Sequence, residues 1–307
     1  MIMENENTSG EPTSCGLVAV IGAPNAGKST LVNQLVGQKV AITSAKAQTT
    51  RARLLGIALE GSTQIILVDT PGIFAPKRRL DRAMVSAAWE GTVAADAVLL
   101  VVDPVKQRRH ELEPLLEQLK DRKERRLLAL NKVDVSKKEP LLALAQDLAG
   151  RIGFEEIFFI SALTGDGVPE LKAHLAKAMP AGPWHYPEDQ VSDASERLLA
   201  TEVTREQLYR QLHEELPYDC AVRPEAYKQR PDGSVEIHQQ IVIARDSQKP
   251  IVLGKHGARI KAIGEAARAE LSEMLGAPVH LYLHVKVDER WQDSREIFEE
   301  IGLDWVR

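Results

Sequence analysis

Cysteine, aromatic residues and long apolar runs are all scarce in this 307-residue chain. Two cysteines, Cys15 and Cys220, are too few and too far apart for a disulfide framework or a cysteine-based metal site. The longest strongly apolar stretch is AVLLVV at 97–102, far short of the ~20 residues a membrane-crossing helix needs. The N-terminal MIMENENTSGEPTS has neither a basic region nor an apolar core, which argues against a secretory signal or transit peptide and for a disordered tail. Basic charge is not in excess either. Against 39 Lys and Arg stand 44 Asp and Glu, net −5, so the whole chain lacks the simplest signature of a nucleic-acid binder. What is present is an ordinary globular composition, 44% hydrophobic and 27% charged, with length enough for two cores. The expected location is the cytoplasm.

Between residues 16 and 180, short apolar runs (LVAVIG, RLLGIAL, IILVDT, AVLLVVD, RLLALN, EIFFIS) alternate with helix-length segments. Such alternation predicts an α/β domain around a largely parallel sheet. Residues 179–195 mix prolines with polar residues and hold no period, which predicts a linker. Beyond it, Leu199, Val203, Leu208, Leu212 and Leu216 predict a helix with one buried stripe. A strand pair is expected at 221–230 and 235–245 around the Pro231-Asp232-Gly233 turn, with Ile237, Ile241 and Ile243 sharing a face with Gln239. Ile260, Ile263, Ala267, Leu271 and Met274 predict a second helix. Residues 279–287 predict a strand with His280, Tyr282, His284 and Lys286 on its polar face, and a last helix is expected from about 291 to 301. The expected division is a tail at 1–15, a first domain at 16–180, a linker at 181–195 and an α-β-β-α-β-α domain at 196–307.

GAPNAGKS at 22–29 fits the phosphate-loop pattern G-x-x-x-x-G-K-[ST], with a strand before it and a helix after it. The small residues Gly22, Ala23, Ala26 and Gly27, with Pro24 and Asn25 among them, let the backbone wrap a polyphosphate. Amides at the following helix N-terminus, Thr30 included, meet its negative charge. Lys28 is placed for the outer phosphates and Ser29 for Mg²⁺. DTPG (Asp69, Thr70, Pro71, Gly72) follows the strand IILV, so Asp69 can hold magnesium through water and the Gly72 amide can sense the γ-phosphate. NKVD (Asn131, Lys132, Val133, Asp134) ends another strand. A carboxylate accepts from both guanine N1–H and N2–H₂, which adenine cannot supply, so Asp134 selects guanine. Asn131 can pair with the guanine edge, the Lys132 stem can cover the ring, and Ser161, Ala162 and Leu163 add backbone amides near the base oxygen.

These four elements, in this order and each at a strand end, resemble the P-loop GTPase family across residues 16–180. The resemblance implies a mostly parallel six-stranded sheet with helices on both faces, Mg²⁺-dependent GTP binding, and hydrolysis to GDP and phosphate. It places residues 41–53 (AITSAKAQTTRAR) at switch I, where a threonine hydroxyl completes the magnesium shell; of Thr49 and Thr50, Thr50 is favoured. Ile73 stands where many GTPases carry a glutamine that orients the attacking water, so slow intrinsic hydrolysis is expected. The expected catalytic set is Lys28, Asn25, Thr50 and Gly72. Asn25 matches an asparagine that in some relatives helps hold K⁺ in place of an arginine finger.

G-x-x-G alone is expected about once or twice by chance in a chain this long, and GRIG at 150–153 is a second match. Gly254-Lys255-His256-Gly257 stands out because it precedes an amphipathic helix within the α-β-β-α-β-α order. That arrangement resembles an α+β type II KH domain, whose loop clamps a single-stranded nucleic-acid backbone. Residues 196–307 hold 16 basic and 20 acidic side chains, net −4, yet 245–261 carries Arg245, Lys249, Lys255, Arg259 and Lys261 against Asp246 alone, net +4. One GTPase domain followed by one such domain resembles the Era family of bacterial GTPases. This implies binding of the 16S rRNA 3′ end, a role in 30S ribosome assembly, a monomer, and peripheral contact at the inner membrane. The alternative is a GTPase switch whose C-terminal domain binds a protein or the membrane surface. The basic runs at 77–79 and 106–110 could meet either rRNA or acidic lipid.

Overall fold

Apolar residues that run without interruption along a strand must be covered on both faces, and the first half of the chain does this. The computed structural model describes residues 12–44, 46, 49–74, 76, 78–106, 109–213 and 216–306. Six strands, β1 (Ser14–Ile21), β2 (Leu54–Glu60), β3 (Thr63–Asp69), β4 (Ala97–Val102), β5 (Arg125–Leu130) and β6 (Glu156–Phe159), form one sheet in the order β2-β3-β1-β4-β5-β6. Only the β2–β3 pairing is antiparallel. Along β1 the two-residue period sends Val18 and Val20 into one core and Ala19 and Ile21 into the other. The first core is closed by α1 (Lys28–Val36) and α5 (Val168–Ala178); the second by α2 (Arg79–Glu90), α3 (Arg109–Lys120) and α4 (Lys138–Arg151). The five parallel strands, β1, β3, β4, β5 and β6, therefore all end where the chain leaves the sheet toward a helix, which sets the stage for a ligand at their C-terminal ends.

β1 begins at Ser14, inside the segment expected as a tail, because Ser14 pairs with Thr63. The proline-rich segment expected as a linker also has partners. Ser14 bridges Ala181, Gly56 bridges Ser192, the Ile57 amide donates to Val191 O at 2.8 Å, and Gln64 Nε2 donates to Tyr186 O at 2.9 Å. The contacts at Gly56 and Ile57 cover part of β2, a sheet edge whose backbone groups would otherwise face outward.

The chain divides into two compact units, one reaching to Ala41 and including Ala52–Pro76 and Met84–Asp193, the other Ile42–Arg51, Lys77–Ala83 and Ala194–Arg307. In the second unit follow α6 (Glu196–Gln211), β7 (Cys220–Gln229), β8 (Val235–Ile243), α7 (Lys249–Leu253), α8 (Ala258–Leu275), β9 (Val279–Val287) and α9 (Arg295–Glu300). β8 lies centrally, antiparallel to β7 and parallel to β9. α6 and α8 cover one face through two apolar clusters, one around Leu208, Ile241 and Ile263 and one around Val203, Ile237 and Leu271. Ser195 caps α6 by accepting from the Leu198 amide at 3.3 Å. The expected last helix is broken: a 3₁₀ turn at Trp291–Asp293 precedes α9, and Ser294 restarts the helix as its cap. The five-residue α7, with Pro250 in its first turn, is too short for an apolar period to announce it.

Segment 42–51 belongs with the second unit for a visible reason. Arg51 is 2% exposed, and its guanidinium donates to the main-chain oxygens of Cys220 (2.7 Å) and Tyr218 (3.1 Å) and to the Tyr209 hydroxyl (3.2 Å). The Lys46 ammonium donates to the main-chain oxygens of Tyr209 and Leu212 at the end of α6, and the Thr43 amide to Glu206 Oε1 at 3.0 Å.

Candidate nucleotide site and nucleic-acid loop

The loop between β1 and α1 is shaped for close approach. Gly22 and Gly27 have φ of 153° and 98°; a Cβ at Gly27 would lie 2.1 Å from Asn131 Nδ2, and one at Gly72 would lie 2.7 Å from Pro24 Cα. The Ile73 amide donates to Gly22 O at 3.0 Å, so the segment after β3 lies against the loop. Lys28 folds over it, donating to Gly22 O (3.2 Å) and Ala23 O (3.0 Å). Burial pushes its ammonium down to about 8, against the opposing pull of Asp69. Ser29 Oγ donates to Asp69 Oδ2 at 2.6 Å, and the Thr70 hydroxyl donates to Val20 O at 2.8 Å. A hydroxyl and a carboxylate side by side are hard oxygen donors, the set that suits Mg²⁺ shared with phosphates. Among the described residues no cluster of three or more His, Cys, Asp or Glu is placed to hold a metal by itself.

Asn131 ties three loops together. Its Nδ2 donates to Ala26 O at 2.8 Å, and its Oδ1 accepts from the Ala162 amide at 2.8 Å. Sequence reasoning assigns this side chain to the guanine edge; the geometry adds a positioning role, holding the phosphate loop and the 161–163 loop in one frame. Lys132 donates to Asn25 O (2.8 Å) and pairs with Asp103 (2.5 Å). Asp103, 4% exposed and capping the amides of Val105 and Lys106, was not singled out from the sequence, although a carboxylate closing the run AVLLVVD is a visible signal. Val133 and Asp134 follow in a 3₁₀ turn with Asp134 exposed, while Ser161 and Ala162 are buried and Leu163 is exposed.

In the second unit Gly254-Lys255-His256-Gly257 joins α7 to α8. Gly254 and Gly257 have φ of 72° and 77°, and a Cβ at Gly254 would lie 2.8 Å from the Arg259 amide nitrogen. Lys249, Lys255, His256 and Lys261 are exposed, and Arg259 donates to Ile251 O at 2.9 Å. The first turn of α8 carries no acidic residue, so its dipole and these cations act with the same sign. Arg245 stands apart, lining an open polar pocket of about 470 Å³ with Arg78, Asp219 and Gln292. Among the described residues the non-glycine residues with positive φ are Asn25, Lys132 and His256. Each sits in one of the candidate ligand loops, where such strain concentrates.

A family model described as a 50S ribosome-binding GTPase matches residues 17–132, and a KH domain model matches 215–292. The chain is 80% identical over 299 residues to a protein named GTPase Era from Erythrobacter litoralis (strain HTCC2594), covering 96% of this chain and 98% of that one. The chain belongs to the Era family of GTPases. It is also similar, with a TM-score of 0.90 and 37% identity over 94% of this chain and 99% of the other, to a crystal structure of Era in complex with MgGDPNP and nucleotides 1506–1542 of 16S ribosomal RNA. A variant of Aquifex aeolicus Era bound to GDP·AlF4⁻ gives a TM-score of 0.89 at the same identity and coverage.

In this Era-family chain the phosphate loop, Asp69 to Ile73, and Asn131 to Asp134 with Ser161 to Leu163 converge in the first unit. Thr50 is buried in segment 42–51, which is grouped with the second unit. Lys77, Gln107 and Arg108 of the two basic runs lie outside the described residues. Among the described residues no helix is long and apolar enough to cross a membrane.

Proposed function

We propose that this Era-family chain is a GTP-driven switch that hydrolyses GTP to GDP and phosphate and holds the 3′ end of small-subunit rRNA during 30S assembly. The observation that carries it is the pairing, in one chain, of a phosphate loop and base-reading turn locked together by Asn131 with a KH domain presenting a cationic G-x-x-G loop. The solved Era with MgGDPNP and 16S rRNA nucleotides supports the same pair of ligands here.

In this mechanism Lys28 leaves the carbonyls of Gly22 and Ala23 for the outer phosphates, whose negative charge favours its ammonium form. Ser29 and Asp69, joined by Thr50 when segment 42–51 is recruited, would hold Mg²⁺, which supplies charge neutralisation on the phosphates. The Gly72 amide senses the γ-phosphate, and its loss on hydrolysis frees the segment that follows. Ile73, 6% exposed, cannot orient water; that task falls to backbone groups and Thr50, and turnover is slow without an activator. K⁺ beside Asn25 would offset charge developing between the β- and γ-phosphates. The protein is expected to act as a cytoplasmic monomer with transient contact at the inner membrane.

The test is crosslinking with sequencing of wild type against the Gly254→Asp, Gly257→Asp double variant, alongside GTP turnover of both. Enrichment of the 16S 3′ end that vanishes in the variant, with turnover retained, is the expected result. Absence of RNA enrichment would favour a protein or membrane ligand for the second domain.

A further inference from the structure

The sheet of the second unit has a face that α6 and α8 do not cover. On it the β8–β9 register sets Glu236 beside His280, His238 beside Tyr282 and Gln240 beside His284. The rings of His238 and Tyr282 stack, with centroids 4.7 Å apart and planes 21° from parallel. The pair is held from below: His238 Nε2 lies 2.7 Å from Glu236 Oε1, and Arg230 Nε donates to Glu236 Oε2 at 2.8 Å. Tyr282 nevertheless stays 49% exposed.

Charge on this face is sorted in one direction. Glu236 is occupied by Arg230 and His238, and Glu225 by His284 (3.2 Å) and Gln240. Lys228, opposite Glu236 in the β7–β8 register, and Lys286, at the other end of β9, are exposed, with no carboxylate within ion-pair distance among the described residues. Two neutralised carboxylates and two uncompensated cations around a half-exposed ring pair suit a polyanion that carries aromatic groups. Single-stranded nucleic acid has that chemistry: bases stack on exposed aromatic side chains while cations follow the backbone.

We propose that Tyr282, stacked on His238, is a base-stacking platform for an unpaired RNA nucleotide, on the sheet face opposite the helices that carry the G-x-x-G loop. It rests on the RNA-binding reading of this domain and adds a second contact to it. Glu236 and Arg230 are positioning residues that keep the His238 ring parallel to Tyr282.

The test uses the full chain and a labelled single-stranded RNA spanning the 16S 3′ end, read by fluorescence anisotropy at one fixed salt concentration. Tyr282→Ala is expected to weaken binding about 5- to 150-fold, the range for losing one stacked base, and Tyr282→Phe to bind like wild type. Photocrosslinking of a halogenated uridine in the RNA is expected to mark the 279–287 peptide. Unchanged affinity of Tyr282→Ala, while the Gly254→Asp, Gly257→Asp variant loses RNA, would overturn the platform and leave the RNA reading standing. A wild-type chain that ignores the RNA would remove both. If Tyr282→Ala instead lost adsorption to phosphatidylglycerol vesicles and kept its RNA affinity, the face would belong to a lipid surface and the proposal would fail.

Discussion

Arg51 Nη1 donates to the main-chain oxygen of Cys220 at 2.7 Å, across 169 positions of sequence. The same guanidinium donates to the main-chain oxygen of Tyr218 at 3.1 Å and lies 5.7 Å from the ring centre of Trp291. A hydrogen bond from a charged donor contributes about 1.5–3 kcal/mol. Arg51→Met is therefore expected to loosen β7 and α6, visible as faster amide hydrogen exchange there. Exchange unchanged from wild type would show that the contact contributes little.

Lys28 gives a pH dependence with a definite sign. Its folded value, about 8, lies below the 10.5 of an unhindered lysine. Between those limits the unfolded chain holds more protons than the folded one, so the nucleotide-free protein gains stability as pH rises through that window. Phosphates restore the charge. GDP binding at pH 8.5 should thus take up protons, seen as a dependence of the calorimetric heat on buffer ionisation enthalpy, and should not at pH 6.5. Lys28→Met should abolish the difference.

Asp134→Asn is expected to cost guanine nucleotides about 10²- to 10⁴-fold in affinity, two hydrogen bonds to a charged acceptor being worth about 1.5–3 kcal/mol each. Xanthine nucleotides should gain, because the new amide donates where the carboxylate accepted. Competition between GDP and XDP reads the outcome directly, and retained guanine preference would count against this base-reading role.

Asn25 is held at φ 62° in the phosphate loop. If it helps to hold a monovalent cation, replacing Na⁺ by K⁺ at equal ionic strength speeds GTP turnover, and Asn25→Ala erases the difference. Equal rates in both salts would dismiss the cation.

Gln239 is fully buried between Ile237 and Ile241, with no hydrogen-bond partner for either amide atom among the described residues. An apolar side chain of similar size removes two unsatisfied groups. Gln239→Leu is expected to stabilise the second unit by about 1–3 kcal/mol in denaturant unfolding. A loss of stability would point to a buried water satisfying the amide.

The loops that converge in the first unit were legible because each is a run of consecutive residues at a strand end: 22–29, 69–73, 131–134 and 161–163. The six strands were legible for a similar reason, each being an apolar run with a turn signal at its end. Contacts that depend on the folded path were not. Nothing local marks Arg51 or Lys46 as belonging with α6, or Asn131 as the tie between the phosphate loop and the 161–163 loop. Segment 179–195 reads as a linker because the edge-covering backbone bonds made by Ala181, Val191 and Ser192 need no apolar period. Whole-chain charge pointed the wrong way, since the cationic window at 245–261 is diluted by acidic side chains elsewhere.

A single carboxamide joins Ala26 to Ala162 through Asn131. Spontaneous deamidation there would turn the nitrogen that donates to Ala26 O into a second carboxylate oxygen facing it, so repulsion would replace attraction in the middle of the nucleotide site. At 2% exposure the group is shielded from water, and bound nucleotide, by keeping the loops closed around it, would slow that ageing further.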